Sequence, residues 1–250
     1  MPMEPSPDTP RLVLVHVDER VVVVDKPPGL LVHRTREAPD RDVLLQRVRD
    51  ALGGWVFPVH RIDRPCSGAV VLARDPDAAR ALQAALGAPD AEKVYVAMVR
   101  GTPPESGVYD RPLTDRSSGV VRPARTRFVR LAELPSIGAS LVAVRIDTGR
   151  RHQIRRHFAH AAHQLLGDTE HGKGWLNRRL RADYELPRLC LHAWRIDVAH
   201  PDGGRLACVV PIAPDLVAFL ARLPDGGAAR ALAATVDEIA WPGMGGAWPP

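Results

Sequence analysis

The patterned part of the chain opens with RLVLVHVDERVVVVD (11–25), two β-branched runs separated by the polar turn Asp18-Glu19-Arg20, which predict two short strands. Pro27, Pro28 and Gly29 then forbid regular structure, because proline lacks an amide donor and glycine can take positive φ. Over 43–52 the apolar residues Val43, Leu44, Val48, Ala51 and Leu52 recur at helical spacing, and Gly53-Gly54 supplies a stop. Residues 55–59 and 69–73 read as strands around a polar insert, 60–68. Asp75 can cap a helix that has Pro76 at its first position and runs to Gly87. Further strands are predicted at 92–100, 126–131, 140–146, 189–198 and 206–210, with helices at 152–162 and near 215–222.

Strands outnumber helices without alternating strictly with them. The predicted class is therefore α+β, a mixed, largely antiparallel central sheet flanked by helices, rather than a doubly wound parallel sheet. One domain is expected over 11–223, between a flexible N-terminus, 1–10, and a flexible tail, 224–250, that ends in the Gly/Pro-rich WPGMGGAWPP. No internal repeat is visible.

Composition narrows the class of protein. With 250 residues, 45% hydrophobic and 25% charged, the chain can bury a real core, which excludes disorder throughout. No apolar run approaches the ~18 residues of a membrane span, and MPMEPSPDTP has neither the basic start nor the apolar stretch of a signal peptide. A soluble, cytoplasmic protein is expected. Cys66, Cys190 and Cys208 are odd in number and form no CxxC pair, so neither a disulfide framework nor a four-cysteine zinc site is available.

The net charge of +5 is unevenly spread: residues 141–181 hold nine Lys/Arg against three Asp/Glu, a local +6, and five of the ten histidines. Such a stretch would concentrate positive potential on the surface that displays it, which suits a polyanion, although a solvated helix face would carry the same residues.

The insert HRIDRPCSG (60–68) carries the sharpest chemical signal. Four ionisable side chains fall within five residues between two strands that should be buried, so this loop must line a cleft or be solvated. Asp63 is its one carboxylate, and Arg61 and Arg64 flank it and favour its ionised form. An anion held ready among cations suits a nucleophile or general base acting on an electron-poor carbon. A structural Arg-Asp bridge in a tight turn explains the segment equally well.

HRIDRPCSG resembles the HRLDxxTSG segment of the RluA-type pseudouridine synthases. VVVVDKPPGLLVH (21–33) is similar to that family's opening strand and KPxGxxVH loop, and GRRHQIRRH (149–157) to its GRxHQxRxH segment. KVYVAMVRG (93–101), LLGDTEHG (165–172) and LCLHA (189–193) follow in the expected order. The resemblance covers roughly residues 11–215, and several ordered motifs make it specific where any one alone is weak. It implies the pseudouridine synthase fold, without the small N-terminal RNA-binding domain that several ribosomal-RNA members carry. It also implies an isomerase that breaks the C1′–N1 bond of a uridine in RNA, rotates the uracil, and joins its C5 to C1′. The target nucleotide must first be swung out of the RNA into a pocket. The resemblance implies no cofactor and no metal.

By the same resemblance Asp63 is the catalytic carboxylate, whether by attack on C1′ or by taking a proton from C2′. Arg155 resembles the basic residue that pairs with it, Tyr95 the tyrosine that stacks on the extruded uracil, and Arg61 the arginine that fills the gap the base leaves. His60, Ile154, Leu191, Arg150, Arg151 and Arg156 are the expected substrate contacts. Each has an ordinary alternative: Tyr95, Ile154 and Leu191 as core, Arg155 as a phosphate contact like its neighbours, Arg61 as a bridge to Asp63. The chain departs from the family at Cys66, where threonine is usual. A thiol is the poorer hydrogen-bond donor, but the aspartate is untouched. Cys66 as a nucleophile is disfavoured, since His60 is the only local histidine.

His157, His160 and His163 recur every three residues on a predicted helix. Their bearings drift by about 60° per step at 3.6 residues per turn, so they cannot converge on one ion, and an RNA-facing or merely polar surface is expected instead. A glycosidase needs two carboxylates across the scissile bond, and the loop offers one. A non-catalytic RNA-binding module would need no carboxylate in its most cationic loop. The expected partner is RNA, and because the compact form, KPPGLLVHR and HRIDRP most resemble transfer-RNA-modifying members of the family, the resemblance implies transfer RNA. A ribosomal-RNA synthase of the same family is the alternative. A monomer acting without a membrane is expected.

Overall fold

The two β-branched runs at the start of the chain pair antiparallel across the Asp18-Glu19-Arg20 turn. In the computed structural model, which describes residues 12–34, 42–116 and 118–227, the chain order is β1 (Val13–Val17), β2 (Val21–Lys26), α1 (Leu44–Leu52), β3 (Phe57–Pro58), β4 (Ser67–Ala73), α2 (Pro76–Gly87), β5 (Glu92–Arg100), β6 (Ser106–Tyr109), β7 (Leu113–Thr114) and β8 (Val121–Arg122). There follow β9 (Thr126–Leu134), β10 (Ala139–Ile146), α3 (Gln153–His160), α4 (Gly174–Tyr184), β11 (Leu191–Ala199), β12 (Arg205–Val209) and α5 (Pro214–Arg222). Ten of the described strands form one sheet in the order β1-β2-β4-β11-β5-β10-β9-β6, with β3 beside β4 and β12 beside β11. Every pairing in it is antiparallel except β4 with β11.

The sheet is buried on both faces, and strand parity decides which residue serves which core. Along β5, Tyr95, Ala97 and Val99 pack with the helices α1, α2 and α3, whereas Val94, Val96 and Met98 pack with α4 and α5. In β11 an irregularity between Ala193 and Arg195 shifts the parity, so that Leu191 and Ala193, then Ile196 and Val198, all reach the first core. Tyr95 lies opposite Ala193, on the same face as Leu191.

Local chemistry accounts for most element ends. The Asp75 carboxylate accepts from the amides of Asp77 and Ala78 and Pro76 opens α2, a cap worth about 1 kcal/mol. Gly53 takes a left-handed conformation after α1. The predicted strand over 55–59 shrinks to Phe57–Pro58, because Pro58 has no amide to extend the ladder and Trp55 leaves the sheet to sit under the Arg49 guanidinium. The short strands β6, β7 and β8, and helix α4, were not predicted. In α4 only Leu176 and Leu180 are buried apolar residues, a stripe too narrow to show against its arginines.

Past α5 the chain continues in place through Gly227, where the Asp225 carboxylate accepts from the amide and hydroxyl of Ser136. The N-terminal segment 1–10 and the rest of the predicted tail lie outside the described residues. None of the described helices is long and apolar enough to cross a membrane.

Candidate active site

Asp63 sits on the loop that carries the chain from β3 into β4, and that loop is tied down from three sides. The Cys66 amide donates to Asp63 O, closing a tight turn. The Gly29 amide donates to Arg64 O, while Arg64 Nε donates to Gly29 O. Lys26, fully buried at the end of β2, gives its ammonium hydrogens to the carbonyls of Pro27, Leu30 and Arg64. Burial pulls the Lys26 pKa down to about 8, and the three carbonyls supply the hydrogen bonds a buried ammonium needs.

On the far side, Arg188 donates to Pro65 O and Ser67 Oγ and binds the Asp215 carboxylate through Nε and Nη2, which links the loop to α5. Ser67 Oγ and His192 Nδ1 are 2.9 Å apart, and His192 Nε2 donates to Val210 O. Gly68 cannot carry a side chain: a Cβ there would stand 2.1 Å from Ala193 O, where β4 runs against β11. The loop is only partly polar in placement, since Ile62, Cys66 and Ser67 are buried while Arg61 and Arg64 face solvent.

The predicted partner reaches Asp63 from the N-terminal turn of α3. Arg155 Nη1 donates to Asp63 Oδ2 at 3.0 Å. Its Nε and Nη2 bind both oxygens of Asp168, at 2.7 and 2.8 Å. Neither arginine that flanks Asp63 in sequence makes this contact. Burial pushes the Asp168 pKa upward, but the Arg155 hydrogen bonds and the amides of His171 and Glu170 outweigh it and hold the carboxyl below its ordinary value. Arg155 is held above its own, burial being overcome by Asp168 and Asp63. The same charges therefore lock both residues in their ionised forms.

The GRRHQIRRH segment distributes its residues around this pair. His152 takes φ 53 at the N-cap of α3 and turns its Nε2 to within 3.8 Å of Asp63 Oδ1. Gln153 points inward: its oxygen accepts from Thr148 Oγ1 and the Arg150 amide, and its nitrogen donates to Arg125 O and Thr126 Oγ1. Ile154 walls a cleft of about 70 Å³ together with Tyr95, Leu191, Ile146 and Cys66, with Asp63, Arg61 and Arg155 at its polar side. The Asp63 side chain retains 21% exposure there. Tyr95 belongs both to the cleft and to the core, and burial holds its hydroxyl far above the ordinary phenol range.

A second cavity of about 230 Å³ adjoins the first, sharing Gly149, Arg150 and His152. Arg116, Arg122, Arg150, Arg151 and Arg156 line it. Arg150 Nε donates to Pro123 O and Arg156 Nη1 to Thr114 O, which leaves the remaining guanidinium hydrogens for a ligand. The charge of the 141–181 stretch is divided rather than displayed on one surface. Arg145 is buried on Glu92 and Ala91 O, Arg155 is buried on its two aspartates, and Arg178 and Arg179 lie on the exposed side of α4.

Three placements differ from expectation. His60 does not line the cleft: its Nε2 accepts the Val71 amide at 2.9 Å, so it braces β4, and burial drops its pKa to about 4. His157 does not face outward. It is buried, its Nε2 donating to Arg111 O and its Nδ1 accepting from Thr126 Oγ1. His163 holds Arg100 O, and the His157/His160/His163 series is thus largely structural. The residues that sequence reasoning did not single out are Lys26, His152, Asp168, Glu170, His171 and Arg188. Asp168, Glu170 and His171 all lie in LLGDTEHG, whose glycine gives a clue: a Cβ on Gly167 would meet Arg188 O at 1.8 Å.

The mixed, mostly antiparallel sheet buried on both faces and flanked by helices is the fold of solved pseudouridylate synthases. Human RNA pseudouridylate synthase domain containing 4 superposes with a TM-score of 0.69 at 25% identity, covering 84% of this chain and 92% of that one. Residues 20–160 match the family described as RNA pseudouridylate synthase. The chain belongs to the RluA-type pseudouridine synthase family, a group of RNA isomerases.

Among its relatives, tRNA pseudouridine synthase C of Vibrio cholerae serotype O1 is 37% identical over 210 residues, covering 76% of this chain and 86% of that one. The protein of the same name in Pectobacterium carotovorum subsp. carotovorum is 36% identical over 214 residues, 78% of this chain, which spans only 57% of that relative's length.

Proposed function

We propose that this chain isomerises a uridine of transfer RNA to pseudouridine, with Asp63 as the catalytic carboxylate. The observation that carries the reading is the placement of Asp63. One carboxylate oxygen is engaged by Arg155 at 3.0 Å, and the side chain stays open to a cleft whose walls, Tyr95, Ile154 and Leu191, are flat or apolar. A uracil needs such walls, and the ribose beside it needs an ionised carboxylate. Arg155 stabilises the anion without capping both oxygens, and Tyr95 offers a π-face to the base. Arg61, exposed at the rim of the cleft, would stack where the base has left the helix. The arginine-lined cavity next door would take the phosphates that flank the swung-out nucleotide.

Transfer RNA is favoured over ribosomal RNA because the relatives from Vibrio and Pectobacterium both carry the name tRNA pseudouridine synthase C. Asp63→Asn should abolish pseudouridine formation while leaving RNA affinity within about twofold, since phosphate contacts supply most of the binding. Retained turnover would overturn the role of Asp63. Mapping pseudouridines in total RNA from cells with and without the gene should show a missing site in transfer RNA. A site missing only from ribosomal RNA would overturn the substrate.

A further inference from the structure

Beside the Asp63 cleft lies a group of donor atoms that the isomerisation does not use. His152 Nδ1 is 3.3 Å from His171 Nε2 and 3.3 Å from one Glu170 oxygen. His171 Nε2 is 3.6 Å from the other Glu170 oxygen. Ligands bound to a tetrahedral ion at about 2.0–2.1 Å stand about 3.3–3.4 Å apart. His152 Nδ1 has that spacing to both His171 Nε2 and one Glu170 oxygen, and because the other Glu170 oxygen is the one facing His171, a turn of the carboxylate would complete one tetrahedral face.

The backbone beneath them is fixed: the amides of Glu170 and His171 both donate to Asp168 Oδ1, and His152 is held at φ 53. Two neutral imidazoles can share one hydrogen at most, whereas an ion could accept a lone pair from each. Two ring nitrogens and one carboxylate oxygen form a donor set that suits zinc and its neighbours in the transition series and does not suit magnesium or calcium.

We propose that His152, Glu170 and His171 form a zinc site and that its occupation inhibits the enzyme. The link to the reaction runs through the other nitrogen of His152. Coordination through Nδ1 obliges Nε2 to carry the hydrogen, and Nε2 lies 3.8 Å from Asp63 Oδ1. That is the carboxylate–histidine–metal sequence in which the outer carboxylate is drawn to the ring and held there. Zinc would thereby hold the carboxylate needed at the ribose, and would draw Glu170 away from Arg116. The inhibition rests on the catalytic reading of Asp63, whereas the binding of zinc does not.

Cobalt(II), as a spectroscopic stand-in, is titrated into the full-length protein and then displaced with zinc. One equivalent should bind, with the visible bands of a tetrahedral site and no sulfur-to-cobalt charge-transfer band. His171→Gln and Glu170→Gln should each weaken binding at least tenfold. Glu170 is partly exposed, so Glu170→Gln keeps the test available should His171→Gln unfold, which thermal melting of each variant reports.

Zinc at one equivalent should lower pseudouridine formation at least tenfold, EDTA should restore it, and both variants should resist it. Absence of saturable binding, a thiolate band, or binding indifferent to both substitutions overturns the site. Binding with undiminished turnover overturns the inhibition. Asp63→Asn should still bind one equivalent of cobalt, weakened about tenfold by loss of the carboxylate behind His152, so failure of the Asp63 reading would appear as retained turnover in that variant, and failure of the site as absence of saturable cobalt binding in the parent.

Discussion

Asp63 Oδ2 accepts a hydrogen bond from Arg155 Nη1 at 3.0 Å across 92 positions of sequence. The same guanidinium is held bidentately by Asp168, whose side chain has no exposure to solvent. The two carboxylates are unequal: Asp168 fixes the plane of the guanidinium, and Asp63 receives a single hydrogen from it. The result is a carboxylate whose second oxygen is uncommitted to Arg155.

Arg155→Lys keeps the charge and removes the fork. An ammonium cannot bind both oxygens of Asp168 and also reach Asp63 in a fixed direction. Turnover should fall about 100-fold or more, the size of effect ascribed to a misplaced catalytic group. Single-turnover assays with saturating RNA measure it. Unchanged turnover would show that the charge alone suffices.

Asp168→Ala removes the bidentate partner of a buried guanidinium and leaves it Asp63 at 3.0 Å and Glu170 at 3.8 Å. Breaking a buried ion pair on one side costs about 3–5 kcal/mol, and urea unfolding should show a loss of that size. A loss below about 1 kcal/mol would place the pair in water rather than in the core.

Tyr95 requires a gentler substitution than alanine. Its ring is 9% exposed and packs in the core opposite Ala193, so Tyr95→Ala should cost about 3–5 kcal/mol and confuse folding with catalysis. Tyr95→Phe keeps the ring and removes only the hydroxyl. If the face of the ring is what meets the base, Tyr95→Phe should retain turnover within about tenfold at nearly unchanged thermal stability, because the ring and its packing are kept.

How much of this was legible in the sequence depends on the range of the interaction. Continuous β-branched runs such as VVVVD and a capped start such as Asp75-Pro76 declare their structure locally, and those strands and that helix stand where the pattern puts them. The parity shift in β11 and the parallel β4–β11 contact are set by distant partners, and the residues themselves carry no sign of them. Asp63 was legible as an anion in a cationic loop, yet its cation comes from α3 and not from the flanking arginines. His60 reads as a loop polar group and proves to be an acceptor for a strand amide, because register decides which ring nitrogen meets a buried N–H.

RNA binding should depend steeply on salt, and the arginines of the second cavity should carry part of that dependence. Removing one arginine that neutralises a phosphate lowers the slope of log K against log salt by about 0.7–0.9. Arg151→Gln and Arg156→Gln, singly and together, should reduce the slope stepwise, measured by filter binding or fluorescence anisotropy. A slope unaffected by both would move the phosphate-binding surface elsewhere on the protein.

Acid should destabilise the fold through its buried imidazoles. Burial holds His192 at about 4 against an ordinary 6.5, and His60 likewise at about 4, because each serves as a neutral ring. A base that is harder to protonate when folded leaves the unfolded chain binding more protons throughout that interval. The contribution is therefore complete above about pH 6.5, is lost as pH falls towards 4, and levels off below it; at 1.36 kcal/mol per unit it amounts to about 3 kcal/mol for each residue. Urea unfolding at intervals between about pH 7 and pH 4 should show that decline. His60→Gln, whose side-chain oxygen can take the Val71 amide without titrating, should make the decline shallower. A stability independent of pH in this window, or a slope the substitution leaves alone, would mean that the rings are charged or free to reach water in the folded protein.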